Sequence, residues 1–215
     1  MKQIRHIIWD WNGTLFDDVD LCLEIINGVL VRRNINPLSL EEYRKIFTFP
    51  VQRYYEIAGL DFNKHPFDVL GKEWMDEYES RKKECRLHEG AIAALKIISQ
   101  KGIGQSILSA YSQHTLEEIV GYFGIKKYFT HMMGLDHIYA TSKIENGKEL
   151  MKKLGNGEVG TLFIGDTVHD FDVAEEIGAE CILVAGGHQQ KEKLESCNVP
   201  VFDSLKDIPF DELLK

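Results

Sequence analysis

No run in this chain approaches the roughly 18 apolar residues needed to cross a bilayer, and Met1-Lys2-Gln3-Ile4-Arg5 leads straight into a short strand without the apolar core of a secretion signal. A cytoplasmic protein with no membrane partner is expected. Cysteine is scarce: Cys22, Cys85, Cys181 and Cys197 form no C-x-x-C pair or other metal spacing, so they read as thiols in a reducing compartment. Positive charge is also in deficit, 25 Lys and Arg against 34 Asp and Glu, for a formal net charge of −9. The densest basic run, Arg81-Lys82-Lys83, stands between Glu79 and Glu84 in a helical pattern and reads as a solvated helix face, so nucleic acid is not an expected partner. Proline occurs five times, and neither it nor the 18 glycines cluster, which argues against low complexity. What is present is a soluble composition, 44% hydrophobic and 27% charged over 215 residues, enough for one domain with an insertion.

Short apolar runs recur at 4–9, 103–108, 160–164 and 180–184, and helical patterns such as 90–100 and 112–122 separate the later ones. Strands alternating with helices through short links predict a doubly wound parallel sheet, an α/β fold. Between Phe16 and Arg86 the rhythm changes to amphipathic helices over 19–32, 40–47, 52–58 and 66–84, with no convincing strand. Ser39 with Glu42 three residues on is a capping box that starts one of them. The expected division is therefore an α/β core of 1–16 and 87–215 with a helical cap, 17–86, inserted after the first strand. Ligands of such sheets bind at the carboxyl ends of the strands, so an insertion leaving from that edge is placed as a lid.

Four chemically complementary side chains fall at or just beyond predicted strand ends: Asp10, Ser109, Lys143 and Asp166. Asp10 can attack phosphorus and split hydrolysis into two steps. Ser109 can donate its hydroxyl to a phosphate oxygen or cap the following helix, and Lys143 can neutralise a transferring phosphoryl group. Asp166 leaves a strand and Asp170 follows four residues later, so a helix starting between them turns both carboxylates toward one point, a hard oxygen set suited to Mg2+. In the same turn, His169 and Asp172 read as exposed helix residues. Trp9 is expected in the core, and Trp11, past the strand end, at the entrance to the site.

The set Asp10-Trp11-Asn12-Gly13-Thr14-Leu15, then Ile107-Leu108-Ser109, then Lys143, then Gly165-Asp166-Thr167-Val168-His169-Asp170 resembles the four motifs of the haloacid dehalogenase-like phosphohydrolases. The helical insertion, with Phe47-Thr48-Phe49-Pro50, and Gly186-Gly187-His188 after a later strand resemble the phosphoglycolate phosphatase branch. The resemblance implies a phosphatase acting on a small phosphorylated metabolite, with Asp10 as nucleophile. It also implies Mg2+ held by Asp10, the main-chain carbonyl of Asn12, Asp166 and Asp170. Ser109 and the amides of Trp11 and Ala110 would hold the phosphoryl oxygens, and Lys143, with Lys148 as a weaker rival, would bridge nucleophile and phosphate.

One residue departs from the pattern. The family usually carries a second aspartate two residues after the nucleophile, where it shuttles the proton, and this chain has Asn12. An amide neither gives nor takes a proton at neutral pH, and general acid-base catalysis is worth about 10²- to 10⁴-fold. Three readings stay open: a phosphatase with this handicap, a phosphate-binding or regulatory protein with vestigial turnover, and a phosphonate-cleaving enzyme using a cap lysine, for which Lys45, Lys64 and Lys72 are candidates. Arg44, Arg53 and Tyr54 are the cap residues expected to face the site and select substrate.

Overall fold

Ile7 and Trp9 project from one face of the first strand and Ile8 from the other, and all three are sealed from solvent. A strand apolar on both faces belongs in the middle of a sheet covered on both sides. The computed structural model describes residues 3–135, 143–155 and 160–214. In chain order its elements are β1 (Ile4–Trp9), β2 (Phe16–Asp17), α1 (Val19–Val31), α2 (Leu40–Ile46), α3 (Val51–Ile57), α4 (Phe67–Arg81), β3 (Arg86–Leu87), α5 (Ala91–Gln100), β4 (Gly104–Ser112), α6 (Gln113–Tyr122), β5 (His131–Leu135), α7 (Lys143–Lys153), β6 (Gly160–Gly165), α8 (Val168–Ile177), β7 (Glu180–Val184), α9 (Lys191–Glu195), β8 (Val201–Phe202) and α10 (Phe210–Leu213).

The main sheet has six parallel strands in the order β5-β4-β1-β6-β7-β8. The chain builds outward from β1 on one side through β4 and β5, then returns to build the other side from β6. The β1 strand thus sits at the switch in strand order, where the loops on its two sides diverge and leave a crevice. Ile8, Leu108, Phe163 and Leu183 pack on one face with residues of α7, α8 and α9. Ile7, Trp9, Ile107 and Ile164 pack on the other with α5, α6 and α10, a core that continues into the helical segment through Phe16, Ile26, Tyr43 and Tyr78.

The short strands β2 and β3 pair antiparallel, Phe16 with Leu87 and Asp17 with Arg86, and the helices α1 to α4 lie between them in the chain. The Ser39–Glu42 capping box forms at the start of α2 as its sequence predicts. The long pattern predicted over 66–84 ends as an α-helix at Arg81 and finishes in a 3-10 turn, Lys82–Glu84, that delivers the chain to β3.

One strand differs in a way that shapes the site. The run predicted to end at Leu108 continues to Ser112, but the ladder with β5 pairs Leu108 with Met133 and then Ser112 with Leu135, so Ser109 to Tyr111 bulge out opposite Gly134. A bulge re-aims side chains at a sheet rim. Gly134 permits it, because a Cβ there would fall 2.7 Å from the Tyr111 carbonyl oxygen.

Candidate active site

Asp10 follows β1 and its amide donates to the Ile164 carbonyl of β6 at 2.9 Å, which ties the exits of the two central strands together. Gly13 makes the next turn with φ +75°, and a Cβ there would collide with His188 and with Asp166. Only glycine meets both demands. The turn returns Thr14 under the strand ends, where its Oγ1 donates to Asp166 Oδ1 at 3.0 Å and lies 3.4 Å from Asp10 Oδ2.

Asp166 directly follows β6 and Asp170 lies in the first turn of α8. Thr167 caps that helix, and Asp170 Oδ2 accepts from the amides of Asp166 and Thr167 at 3.1 and 2.9 Å and from the Thr167 hydroxyl at 2.7 Å. The other Asp170 oxygen accepts from Lys143 Nζ at 2.5 Å, and the same ammonium bonds Asp10 Oδ1. Lys148, the rival lysine, is exposed and pairs with Glu145 and Glu176, so the first turn of α7 presents Lys143 alone to the carboxylates. Residues 136–142, through which the chain reaches Lys143, lie outside the described residues.

Asp10, Asp166 and Asp170 each place an oxygen within 4.8 Å of the others, and all are buried. Burial, then the charges of its neighbours, pushes Asp10 above the ordinary carboxylate range despite Lys143. Burial likewise raises Asp166, while for Asp170 the Lys143 charge outweighs burial and holds it down. For Lys143 itself burial is outweighed by Asp10 and Asp170, which keep it an ammonium. Three carboxylates against one ammonium leave uncompensated negative charge on hard oxygen donors. That fits a divalent cation such as Mg2+, which takes one or two protein carboxylates and keeps room for water and phosphate.

Ser109 is buried in the bulge, its Oγ accepting from the Tyr111 amide at 3.1 Å, while Ala110 beside it is exposed. Asn12 does not lie free. Its Nδ2 donates to Asp18 Oδ2 at 2.8 Å and to Tyr78 Oη at 2.7 Å, and Tyr78 donates its own proton to Asp18 at 2.6 Å. Asp18 Oδ1 accepts from the Gly13 amide at 2.9 Å and lies 3.4 Å from His188 Nε2. Burial works against the Asp18 charge, but His188, Tyr78 and Asn12 outweigh it and hold the group at about 2. Burial likewise opposes the charge on His188, and Asp18 outweighs it, taking the ring up to about 9.

His188 joins the two clusters. Its amide donates to Asp166 Oδ2 at 2.6 Å, its Nδ1 is 2.8 Å from the Tyr43 hydroxyl, and Phe47 stacks on its ring at 4.8 Å. Around it the helical segment is bolted to the sheet loops: the Phe47 carbonyl accepts from Gln189 Nε2 at 3.0 Å and Lys193 Nζ at 2.8 Å.

Several sequence expectations are corrected here. Trp11 is not at an entrance but wholly buried, stacked on Phe16 at 5.3 Å, because the Gly13 turn folds it back under the core. His169 is half-buried rather than exposed, with Phe49 at 4.8 Å over its ring. Of the three selected cap residues, Arg44 spends its guanidinium on the Gly186 and Gly187 carbonyls at 2.8 and 2.9 Å. Arg53 is 63% exposed and pairs with Glu56, and Tyr54 is buried among Tyr43, Phe47 and Tyr55. The two arginines are thus engaged elsewhere, whereas the Tyr54 hydroxyl is buried without a hydrogen-bond partner. Asp18, Tyr43 and Tyr78 were missed; the Asp17-Asp18 pair carried a signal, since an aspartate before α1 reads as a helix cap, yet its side chain caps nothing and turns to Asn12 instead.

A family model described as haloacid dehalogenase-like hydrolase matches residues 7–184. The chain belongs to this family. Among curated members, a phosphoglycolate phosphatase of Rhodobacter capsulatus is 22% identical over 86% of this chain and 85% of its own length. Phosphoglycolate phosphatase 1 of Pseudomonas aeruginosa is 21% identical over 95% of this chain and 78% of its own. In three dimensions the haloacid dehalogenase-like fold is matched by a predicted phosphatase from Clostridium acetobutylicum, with TM-score 0.80 at 18% identity over 98% of both chains. The fold predicted from strand and helix alternation is the fold of this family.

Proposed function

We propose that this protein is a Mg2+-dependent phosphatase that hydrolyses small phosphate monoesters through an aspartyl phosphate on Asp10. The observation that carries the reading is Lys143 Nζ bonded to both Asp10 and Asp170 in a buried cluster with Asp166. Asp10, the main-chain carbonyl of Asn12, Asp166 and Asp170 would hold Mg2+, which when bound would neutralise the carboxylates and the phosphate. Lys143 keeps Asp10 aimed and partly neutralised, the Ser109 hydroxyl and the Trp11 and Ala110 amides receive phosphoryl oxygens, and Thr14 fixes Asp166. Asp170, spending one oxygen on the α8 cap and the other on Lys143, positions the lysine as much as it serves as a ligand. The segment 17–86 acts as a cap. With Asp10 and Asp166 buried beneath it, it must open to admit substrate.

The three lysines named for the phosphonate reading lend it no support: Lys45, Lys64 and Lys72 are all exposed, Lys64 pairing with Asp61 and Lys72 with Asp76. Asn12 favours a second reading, phosphate binding with little turnover, because its amide cannot transfer a proton. One experiment separates them. Phosphate release is measured with and without Mg2+ from a panel of esters headed by 2-phosphoglycolate, the substrate named for the curated relatives, using the native protein and Asp10→Asn. Mg2+-dependent release that Asp10→Asn abolishes is the expected result. Release untouched by Asp10→Asn overturns the mechanism, and binding of phosphate without turnover of any ester favours the second reading.

A further inference from the structure

The proton inventory around Asp10 is short. Asn12 has only its two Nδ2 hydrogens, and both are engaged, one by Asp18 and one by Tyr78. Tyr78 gives its proton to Asp18, so its oxygen faces Asn12 as an acceptor, and this fixes which end of the amide is which. Asp18, surrounded by the Gly13 amide, Asn12, Tyr78 and His188, is an anion. The two His188 ring nitrogens are directed to Tyr43 and Asp18. Lys143 is an ammonium held between two carboxylates, and the hydroxyls of Thr14 and Ser109 can donate hydrogen bonds but are not acids at neutral pH. The ring nitrogens of His188 are taken up by Asp18 and Tyr43, and the amide at position 12 has no acidic proton to hand to a leaving oxygen. Neither Arg44 nor Arg53 offers a second anion grip, since Arg44 bonds the Gly186 and Gly187 carbonyls and Arg53 pairs with Glu56.

We propose that this enzyme selects its substrates by their leaving group, acting on aryl or acyl phosphates, whose oxygen departs as a stable anion, in preference to alkyl phosphates such as 2-phosphoglycolate. This rests on Asp10 as nucleophile. An Asp10 oxygen forms a bond to phosphorus as the bond from phosphorus to the leaving oxygen breaks, and the electron pair leaves with that oxygen, as phenolate or carboxylate, with no proton supplied. Water then attacks the aspartyl phosphate, releasing inorganic phosphate and restoring Asp10. The amide of Asn12 cannot take the proton of that water either, which slows this second step, so the phosphoenzyme accumulates.

The geometry also says why a single substitution is not a clean test. At position 12 an aspartate would set a half-buried carboxylate against buried Asp18, so the acid is introduced with its neighbour exchanged, as Asn12→Asp together with Asp18→Asn. The experiment measures kcat/KM with Mg2+ for a series of substituted phenyl phosphates, acetyl phosphate and 2-phosphoglycolate. The expected result is a steep fall as leaving-group pKa rises, with 2-phosphoglycolate at least about 10²-fold below 4-nitrophenyl phosphate, the range that acid-base assistance supplies. A burst of phenol equal to the enzyme concentration precedes the steady rate, and the doubly exchanged enzyme shows a flatter series. Acetyl phosphate above the line of the phenyl series points to an acyl substrate, and on or below it to an aryl one; both support the proposal. A native series independent of leaving-group pKa, or 2-phosphoglycolate matching the best aryl ester, overturns the leaving-group proposal and leaves the phosphatase standing. Absence of Mg2+-dependent release from every ester overturns the phosphatase reading itself.

Discussion

The carboxylates of Asp10, Asp166 and Asp170 share one ammonium, whereas the neighbouring carboxylate of Asp18 is ringed by donors. Both clusters are buried at the exit of β1, and His188 touches both. The first is left short of positive charge, a state relieved by protonation, as the raised Asp10 and Asp166 show, or by a bound cation. The second is complete in itself and spans the boundary between helical segment and sheet, from Tyr43 and Tyr78 to Asn12 and His188. On the proposed function, the first cluster would bind and react, while the second holds the Asn12 amide in place. The departure at Asn12 is matched by its surroundings: a closed set of hydrogen bonds in which an amide supplies two donors that a carboxylate lacks.

Experiments that disturb one cluster and spare the other test this contrast. The largest effect is expected from Asp10→Asn, with turnover down at least about 10³-fold in a phosphate-release assay and no loss of thermal stability, because a crowded charge is removed. Asn12→Asp should act in the opposite sense, lowering stability by about 1 to 3 kcal/mol in urea melts, because it removes two donors and sets a half-buried like charge beside Asp18. Adding Asp18→Asn should restore most of that; full additivity of the two changes would break the idea of a matched set. On the pH axis, His188 has its folded pKa raised from 6.5 to about 9. Its contribution is whole below pH 6.5 and is lost as pH rises through about 9, up to about 3 kcal/mol, and His188→Gln should flatten melts across that window. Asp18, lowered from 3.8 to about 2, gives the reverse arm, present above pH 3.8 and lost as pH falls through about 2. Saturating Mg2+, at about 100 times its Kd, should add about 2.7 kcal/mol to stability by calorimetry, a gain that Asp166→Asn removes. Smallest of all, Arg53→Ala should shift stability by less than about 0.5 kcal/mol and leave KM unchanged, since its partner Glu56 is an exposed neighbour on the same helix.

The placement of Asp10 and Asp166 was legible because each follows an apolar strand, and parallel strands bring their carboxyl ends to one edge whatever the side chains do. Strand ends were less legible. The β4 bulge depends on Gly134, a residue of the neighbouring strand, so nothing local to Ile103–Ser109 announces it. The helical segment was legible as helices, through periodicity and the Ser39–Glu42 cap, but not as surfaces. Arg44 and Arg53 lie on successive short helices with similar local sequence character, yet one is bonded to the Gly186 and Gly187 carbonyls and the other faces solvent. Trp11 was misplaced for a related reason: two residues past the end of β1 it was expected at the entrance, but the Gly13 turn folds it back under the core.

The sequence by itself determined that a strand delivers Asp10, that a glycine turn follows, that strand-helix alternation makes a parallel sheet and that position 12 carries an amide unable to move a proton. These are consequences of residue chemistry and of periodicities spanning a few residues. The meaning of the amide was decided only by the tertiary structure. Asp18 lies six residues from Asn12, Tyr78 sixty-six, and Tyr43 and His188 are 145 residues apart, so the bonds that fix Asn12 exist only once helical segment and sheet have packed together. Burial then makes those bonds obligatory, because a donor or acceptor shut away from water must find its partner wherever the fold has put it.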